Sequence, residues 1–247
     1  MPIYTENMVR TFLPQCRKNC DYWYFFAEGV FCGRNIGSML FYRHVFLVFT
    51  GVMSIKALEE KILKEGSILP GNVLKVGSFL NQQIDTAFLK EMGKEIARLY
   101  GNSGVNKIFT IETSGIAIAT AAAFYLDVPF VFAKKHKSAN VSGDLYSTKV
   151  ESFTHGSVYD VIVSRDYIKS GDRVLVVDDF LANGNALRGL FDIISQAGAT
   201  AVGAAIAIEK GFQKGGDGLR ENGIRVESLA IIDKMTDDEL VFRPQNN

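Results

Sequence analysis

The sequence predicts an α/β fold in which a central, mostly parallel sheet is flanked by helices. Short apolar runs rich in β-branched and aromatic residues alternate with helix-length segments along most of the chain. Several of these runs are apolar on both faces, which is typical of strands that helices cover on both sides. Sheets of this kind bind ligands at the carboxyl ends of their strands, so we looked for functional residues there.

Composition divides the chain at about Met53. Residues 1–52 hold 12 of the 28 aromatic residues and all three cysteines, whereas residues 53–247 carry 22 basic and 24 acidic side chains. We therefore predict an N-terminal appendage over 1–52 and a compact domain over 53–247. Whether the appendage is disordered, or is upstream sequence translated ahead of a start at Met53, is left open. Its cysteine spacing lacks the paired pattern of a zinc site, and its apolar stretches are interrupted by charges.

Two amphipathic helices are predicted at the start of the domain. The first begins after Ser54 as N-cap and ends at Gly66, with apolar residues recurring every three or four positions. The second begins after Asp85 and ends at Gly101.

A series of short strands and three further helices follows. The predicted strands are Lys107–Ile111, Pro129–Ala133, Val158–Val163, Arg173–Val177, Ala201–Ile208 and Arg225–Ile231. The predicted helices are Ile116–Leu126, Asn185–Ala197 and Gly211–Asn222. Residues 138–156 fit neither pattern and are predicted to form a long loop or irregular hairpin, a feature that often serves as a lid.

The segment from Val174 to Ala186 is the most informative for function. Four apolar residues form a buried strand, Asp178 and Asp179 stand at its carboxyl end, and small residues lead into a helix. Backbone amides at a helix N-terminus with little side-chain bulk suit a phosphate group. Two adjacent carboxylates repel one another and need donors or positive charge nearby. The alternative from spacing alone is a solvated Asp-Asp turn followed by ordinary Asn-Gly turn chemistry.

This segment resembles the phosphoribosyl-pyrophosphate signature of the type I phosphoribosyltransferases. A wider similarity, to bacterial xanthine phosphoribosyltransferases, runs from Leu58 to about Val241 and does not extend into residues 1–52. The matching stretches are Leu74–Asp85, Ile111–Ile116, Phe132–Ser138 and Glu209–Gln213. The resemblance implies the type I fold, with a small hood and a long flexible loop beside the sheet, and transfer of ribose 5-phosphate to a purine nitrogen with release of pyrophosphate.

The resemblance also implies a role for each matching residue. Asp178 and Asp179 would contact the ribose hydroxyls and stabilise the cationic ribose, and are the catalytic residues. The phosphate loop would consist of Ala182, Asn183, Gly184, Asn185 and Ala186. The pyrophosphate would lie against Glu112, Thr113, Ser114 and Gly115 and near Lys134 and Lys137. The purine would contact Leu74, Asn81 and Lys210.

Each of these assignments has a plain structural alternative. Residues 112–115 also suit a strand-to-helix turn capped by Thr113 or Ser114, and a short lysine run is often a solvated surface. Lys210 could lie at the surface beside Glu209, and Leu74 could be a core residue.

Mg²⁺ is the expected cofactor, bound through ligand oxygens and water with no direct protein ligand. The expected partners are xanthine, phosphoribosyl pyrophosphate and a second copy in a cytoplasmic homodimer, with no nucleic acid or membrane. Two alternatives remain: a guanine or hypoxanthine phosphoribosyltransferase, and a transcription regulator that senses phosphoribosyl pyrophosphate. Residues 1–52 lack the charge and periodicity of a DNA-binding module, which disfavours the regulator.

Overall fold

The computed structural model describes residues 22–26, 29–33, 55–135, 143–151, 158–237 and 239–245. The chain forms two compact units, Met1–Gly51 and Val52–Asn247. In the first unit, strand β1 (Tyr22–Phe26) pairs antiparallel with β2 (Gly29–Gly33).

The second unit alternates helices and strands, as the sequence predicts. Its first half contains α1 (Ile55–Glu65), β3 (Ser67–Leu69), β4 (Val73–Lys75), a π-helical turn (Gly77–Asn81), α2 (Thr86–Tyr100), β5 (Lys107–Ile111), α3 (Gly115–Leu126) and β6 (Phe130–Ala133). Its second half contains β7 (Leu145–Glu151), β8 (Val158–Ser164), β9 (Arg173–Leu181), α4 (Asn185–Gln196), β10 (Thr200–Lys210), α5 (Gly215–Glu221), β11 (Val226–Met235) and β12 (Leu240–Phe242).

The predicted central sheet is confirmed. Six strands lie in the order β12-β11-β10-β9-β5-β6, and all neighbouring pairs are parallel except β11 with β12. Strands β10, β9 and β5 are therefore adjacent, and their carboxyl ends lie at the same edge.

Helices cover both faces of this sheet. Leu175 and Val177 of β9 pack into a core with α1, α2 and α3, while Val174 and Val176 pack into a second core with α4. The alternation follows from the strand period of two residues. Helix α2 begins where predicted, because the Asp85 side chain accepts a hydrogen bond from the Phe88 amide at 3.1 Å.

Two predicted elements differ from the structure. The strand predicted over Val158–Val163 belongs to β8, which pairs antiparallel with β7 and lies outside the central sheet. The helix predicted over Gly211–Asn222 is broken: a 3-10 turn spans Gly211–Gln213, Lys214 has a positive φ of 58°, and α5 begins only at Gly215. A local left-handed residue is incompatible with a continuous helix, and lysine gives no sequence signal for it.

Candidate active site

The candidate site lies where three neighbouring strands end. Strand β9 carries Asp178 and Asp179 near its carboxyl end, β10 ends at Lys210, and β5 is followed directly by Glu112. Because β9 lies between β10 and β5, the acidic pair is placed between the lysine and the 112–115 loop. Any ligand that spans the three strand ends must pass the acidic pair.

The two carboxylates are nearly buried, with 6% of Asp178 and 7% of Asp179 exposed. This burial excludes the solvated Asp-Asp turn that spacing alone had left open. Burial raises the pKa of Asp178 well above its ordinary range, and the charge of Asp179 raises it further. The Asp179 amide, which donates to Asp178 Oδ1 at 2.9 Å, and the positive charge of Lys135 offset part of that rise.

Residues 182–186 form a tight connection from β9 into α4. Gly184, with φ of 84°, occupies the N-cap position and offers no side chain to the first turn of the helix. Asn183 Oδ1 accepts a hydrogen bond from the Asn185 amide at 3.1 Å. The Arg188 guanidinium donates to the Asn183 carbonyl at 2.8 Å and to Asn185 Oδ1 at 3.2 Å. The two asparagine side chains thus form hydrogen bonds that stabilise the loop, while Ala182 and Ala186 add little side-chain bulk to it.

The 112–115 loop lies directly against the acidic pair. A Cβ added at Gly115 would lie 2.9 Å from Asp178 Oδ1, so only glycine permits this approach. Glu112 Oε1 accepts a hydrogen bond from the Lys135 amide at 2.7 Å, which ties the loop to the end of β6. Ser114 stands at the N-cap of α3 without a side-chain cap bond, so the capping alternative does not explain this residue. The peptide bond between Glu112 and Thr113 is cis.

The lysine run after β6 reaches the site through Lys135. Its ammonium lies 5.7 Å from the centre of the Tyr159 ring and its charge acts on Asp178. Lys134 pairs with Ile162 of β8 through both backbone groups at 2.9 Å. Lys137, which the sequence places in the site, lies outside the described residues.

Tyr159 of β8 is a site neighbour that the sequence did not indicate. Burial raises the pKa of its phenol, and the charge of Asp178 adds to the effect. No local pattern marks Tyr159, because its position depends on tertiary structure: a backbone bridge between Lys134 and Ile162 joins β8 to the end of β6, beside the site.

The expected purine residues surround the β10 side of the acidic pair. Lys210 is half-buried, which lowers the pKa of its ammonium. It donates to the Asn72 carbonyl at 3.0 Å and lies 5.9 Å from the Phe180 ring centre. Asn81 Nδ2 donates to Asp179 Oδ2 at 3.3 Å, so one of the expected purine ligands contacts the acidic pair directly.

Leu74 and Glu209 resolve two of the alternatives raised by the sequence. Leu74 is 7% exposed and belongs to the hydrophobic core. This supports the alternative that Leu74 is a core residue, whether or not it also contacts a base. Glu209 is fully buried and paired with Arg220 at 2.7 Å, so the surface environment considered for the Glu209–Lys210 pair is wrong.

The described residues include no group of three or more His, Cys, Asp or Glu side chains arranged to hold a metal ion. No helix in the described part of the chain has both the length and the apolar character needed to cross a bilayer.

Comparison with known proteins gives three concordant findings. The family model "Phosphoribosyl transferase domain" matches residues 80–234. A xanthine phosphoribosyltransferase of Lachnoclostridium phytofermentans is 53% identical over 191 residues, covering 76% of this chain and 98% of that protein. Xanthine phosphoribosyltransferase 2 of Clostridium botulinum is 54% identical over 190 residues, covering 76% of this chain and 100% of that protein.

Solved structures agree at the level of the fold. The adenine phosphoribosyltransferase of Giardia lamblia, complexed with 9-deazaadenine, aligns with a TM-score of 0.60 at 21% identity and covers 72% of this chain and 97% of its own. That of Thermoanaerobacter pseudethanolicus aligns with a TM-score of 0.58 at 20% identity, covering 70% and 98%.

Proposed function

Because the chain belongs to the phosphoribosyltransferase family, we propose that it transfers ribose 5-phosphate from phosphoribosyl pyrophosphate to xanthine. The products are XMP and pyrophosphate, and the reaction is a step of purine salvage. The observation that carries this proposal is the order of the three strand ends, with Lys210 on one side of the acidic pair and the 112–115 loop on the other. That order matches a substrate whose sugar lies between an incoming base and a leaving pyrophosphate.

The 5-phosphate is bound by the loop from Ala182 to Ala186. Its small residues let a phosphate approach the backbone amides at the start of α4, where the helix dipole also favours negative charge. The catalytic unit carries no excess of positive charge. Phosphate affinity must therefore come from these local amides and from nearby lysines.

Asp178 and Asp179 act on the ribose. As the bond from C1 to pyrophosphate breaks, the ring becomes positively charged, and carboxylates held beside it stabilise that charge without reorganisation. Their burial strengthens the interaction because little water screens it. The same burial raises the pKa of Asp178 when no cation is present. The positive charge that develops on the ribose supplies the cation that stabilises the ionised carboxylate.

Pyrophosphate leaves along the 112–115 loop toward the lysines that follow β6. Lys135 is already held near Asp178 by the Glu112 contact to its amide. Mg²⁺, when bound, neutralises the leaving pyrophosphate. The acidic pair offers the hard oxygen donors that suit this ion, and because Mg²⁺ keeps much of its hydration it would be held largely through substrate oxygens and water.

Recognition of the base is assigned to Lys210, Asn81 and Leu74. The Lys210 ammonium donates to a purine oxygen in place of the Asn72 carbonyl that it contacts in the structure. Asn81 both donates and accepts, which suits the 2-oxo edge of xanthine. The cytoplasmic location and the homodimer expected from the family resemblance are part of the same proposal.

Pyrophosphate release from phosphoribosyl pyrophosphate, measured with xanthine, guanine and hypoxanthine in turn, tests the proposal. We expect the highest kcat/KM with xanthine. A preference for guanine or hypoxanthine would move the assignment to that neighbouring substrate. Binding of phosphoribosyl pyrophosphate without turnover of any purine would favour the sensing regulator.

A further inference from the structure

We propose that Gly215 and Arg188 are positioning residues that hold the 182–186 loop in place and so set its affinity for the 5-phosphate. The inference rests on the proposed function for the identity of the ligand. Neither residue belongs to the phosphate-loop signature, and neither was indicated by the sequence.

Gly215 is the first residue of α5, and it lies against the backbone of the loop. A Cβ added there would meet the Ala182 carbonyl oxygen in a severe clash, and would lie 2.6 Å from the Asn183 carbonyl carbon and 2.7 Å from the Gly184 nitrogen. All three contacts are to backbone atoms, which cannot rotate away as a side chain can. The absence of a side chain at Gly215 is what lets the loop occupy its position.

Arg188 holds the same turn through hydrogen bonds. Its Nη1 bonds to the Asn183 carbonyl and the Asn185 side chain, and lies 3.3 Å from where a Cβ on Gly184 would be. The Gly215 carbonyl lies 3.5 Å from that same point. Gly184 is thus enclosed between the guanidinium and the first peptide of α5. A donor on the Asn183 carbonyl fixes the orientation of the following peptide plane, and with it the direction of the amide at Gly184.

The same segment connects the phosphate loop to the base site. Lys210 is separated from Gly215 by one 3-10 turn and the left-handed Lys214. The next residue, Gly216, packs against the buried Glu209 carboxylate so closely that an added Cβ would clash with it. Glycines at two successive positions therefore fit α5 between the loop and the end of β10.

A side chain at Gly215 must push the loop or α5 back by roughly 1 Å, since carbon and oxygen atoms that are not bonded rest more than 3 Å apart. Displacements of that size at a preorganised site cost up to ~100-fold in function. The displacement acts on the 5-phosphate, whereas the 112–115 loop follows β5, which lies on the other side of β9 from β10.

The test compares Gly215→Ala with Gly218→Ala, a matched control in the same helix whose added Cβ would approach only an Arg188 nitrogen at 4.0 Å. Calorimetry measures the binding of ribose 5-phosphate, which carries the 5-phosphate alone, and of inorganic pyrophosphate. Steady-state assays give KM for phosphoribosyl pyrophosphate and for xanthine. We expect Gly215→Ala to weaken ribose 5-phosphate and raise KM for phosphoribosyl pyrophosphate tenfold or more, with pyrophosphate binding and the control unchanged.

Arg188→Met provides a second, independent variant in case Gly215→Ala fails to fold, since Arg188 is exposed and its loss leaves the core intact. It should raise the Kd for ribose 5-phosphate and the KM for phosphoribosyl pyrophosphate severalfold. Arg188→Lys, which keeps a donor, should recover part of the lost affinity. A folded Gly215→Ala protein with normal ribose 5-phosphate affinity would overturn the proposal, as would a normal Arg188→Met protein if the glycine variant is unfolded. Wild-type protein that binds ribose 5-phosphate without turning over any purine would contradict the proposed function and leave the loop comparison valid. Wild-type protein that neither binds ribose 5-phosphate nor turns over a purine would overturn both the loop proposal and the proposed function.

Discussion

Replacing Asp178 by asparagine should make the protein more stable while making it a poorer catalyst. Burial and the adjacent Asp179 both penalise the charged form of Asp178, which is why its pKa lies well above the ordinary 3.8. Asparagine has nearly the same shape, keeps an oxygen that can accept the Asp179 amide, and carries no charge. The substitution therefore removes the electrostatic penalty and retains the local hydrogen bond.

The size and sign of the effect follow from proton linkage. A carboxyl whose pKa is raised by folding binds more protons in the folded state, so stability falls as pH rises from its ordinary pKa toward the raised one. Each unit of that rise costs more than ~1 kcal/mol. A gain of ~1 kcal/mol raises the melting temperature by about 2–4 °C in a domain of this size. The advantage should shrink as the pH falls toward the ordinary pKa of 3.8 and vanish below it, where the carboxyl is protonated in both states.

Thermal unfolding of the wild type and the Asp178→Asn variant between pH 4 and pH 8 measures this effect. Asp166→Asn is the control, because 83% of the Asp166 side chain is exposed and its charge is not penalised by burial. Turnover of the Asp178 variant should fall by about 100-fold, the scale of losing one electrostatic stabiliser. An unchanged or lower melting temperature at pH 7.5 would refute the reasoning that the site stores unfavourable charge.

Three other predictions concern the site, the fold behind it and the chain boundary. The double variant Asp178→Asn, Asp179→Asn should lose turnover by orders of magnitude with an unchanged circular dichroism spectrum; near-normal activity would remove the carboxylates from the mechanism. Glu209→Gln should destabilise the domain by about 3–5 kcal/mol in urea unfolding, because it breaks a buried ion pair between β10 and α5; the exposed Glu227→Gln should cost less than ~1 kcal/mol, and equal costs would contradict this account. A chain beginning at Met53 should be soluble and fully active when assayed beside the full chain; loss of either property would make residues 1–52 part of the working protein.

Much of the fold could be predicted because local patterns and the tertiary structure agree in this chain. Helix α2 has its Asp85 cap and an apolar face, and the apolar runs of β5 and β9 are followed by Glu112 and by Asp178. Once the sheet is parallel, the ends of such strands must meet at one edge, so the positions of the acidic pair and the 112–115 loop follow.

The rest depends on contacts that no local pattern encodes. Tyr159 lies close enough to feel the charge of Asp178, and its strand β8 is joined to the end of β6 by the backbone bridge between Lys134 and Ile162, which the sequence of β8 does not reveal. Gly215 looks like an ordinary helix glycine until the loop from a different strand is packed against it. In the sequence Arg188 looks like a solvated helix residue. In the structure it donates a hydrogen bond to the carbonyl of Asn183, five residues earlier.

Product analysis shows whether the protein joins ribose 5-phosphate to xanthine. Purified protein is incubated with phosphoribosyl pyrophosphate, xanthine and Mg²⁺, and the mixture is resolved by chromatography with mass detection. We expect XMP and pyrophosphate in equal amounts from the wild type, and neither above background from the double aspartate variant. Absence of XMP from folded wild-type protein that still binds phosphoribosyl pyrophosphate would contradict the proposed function.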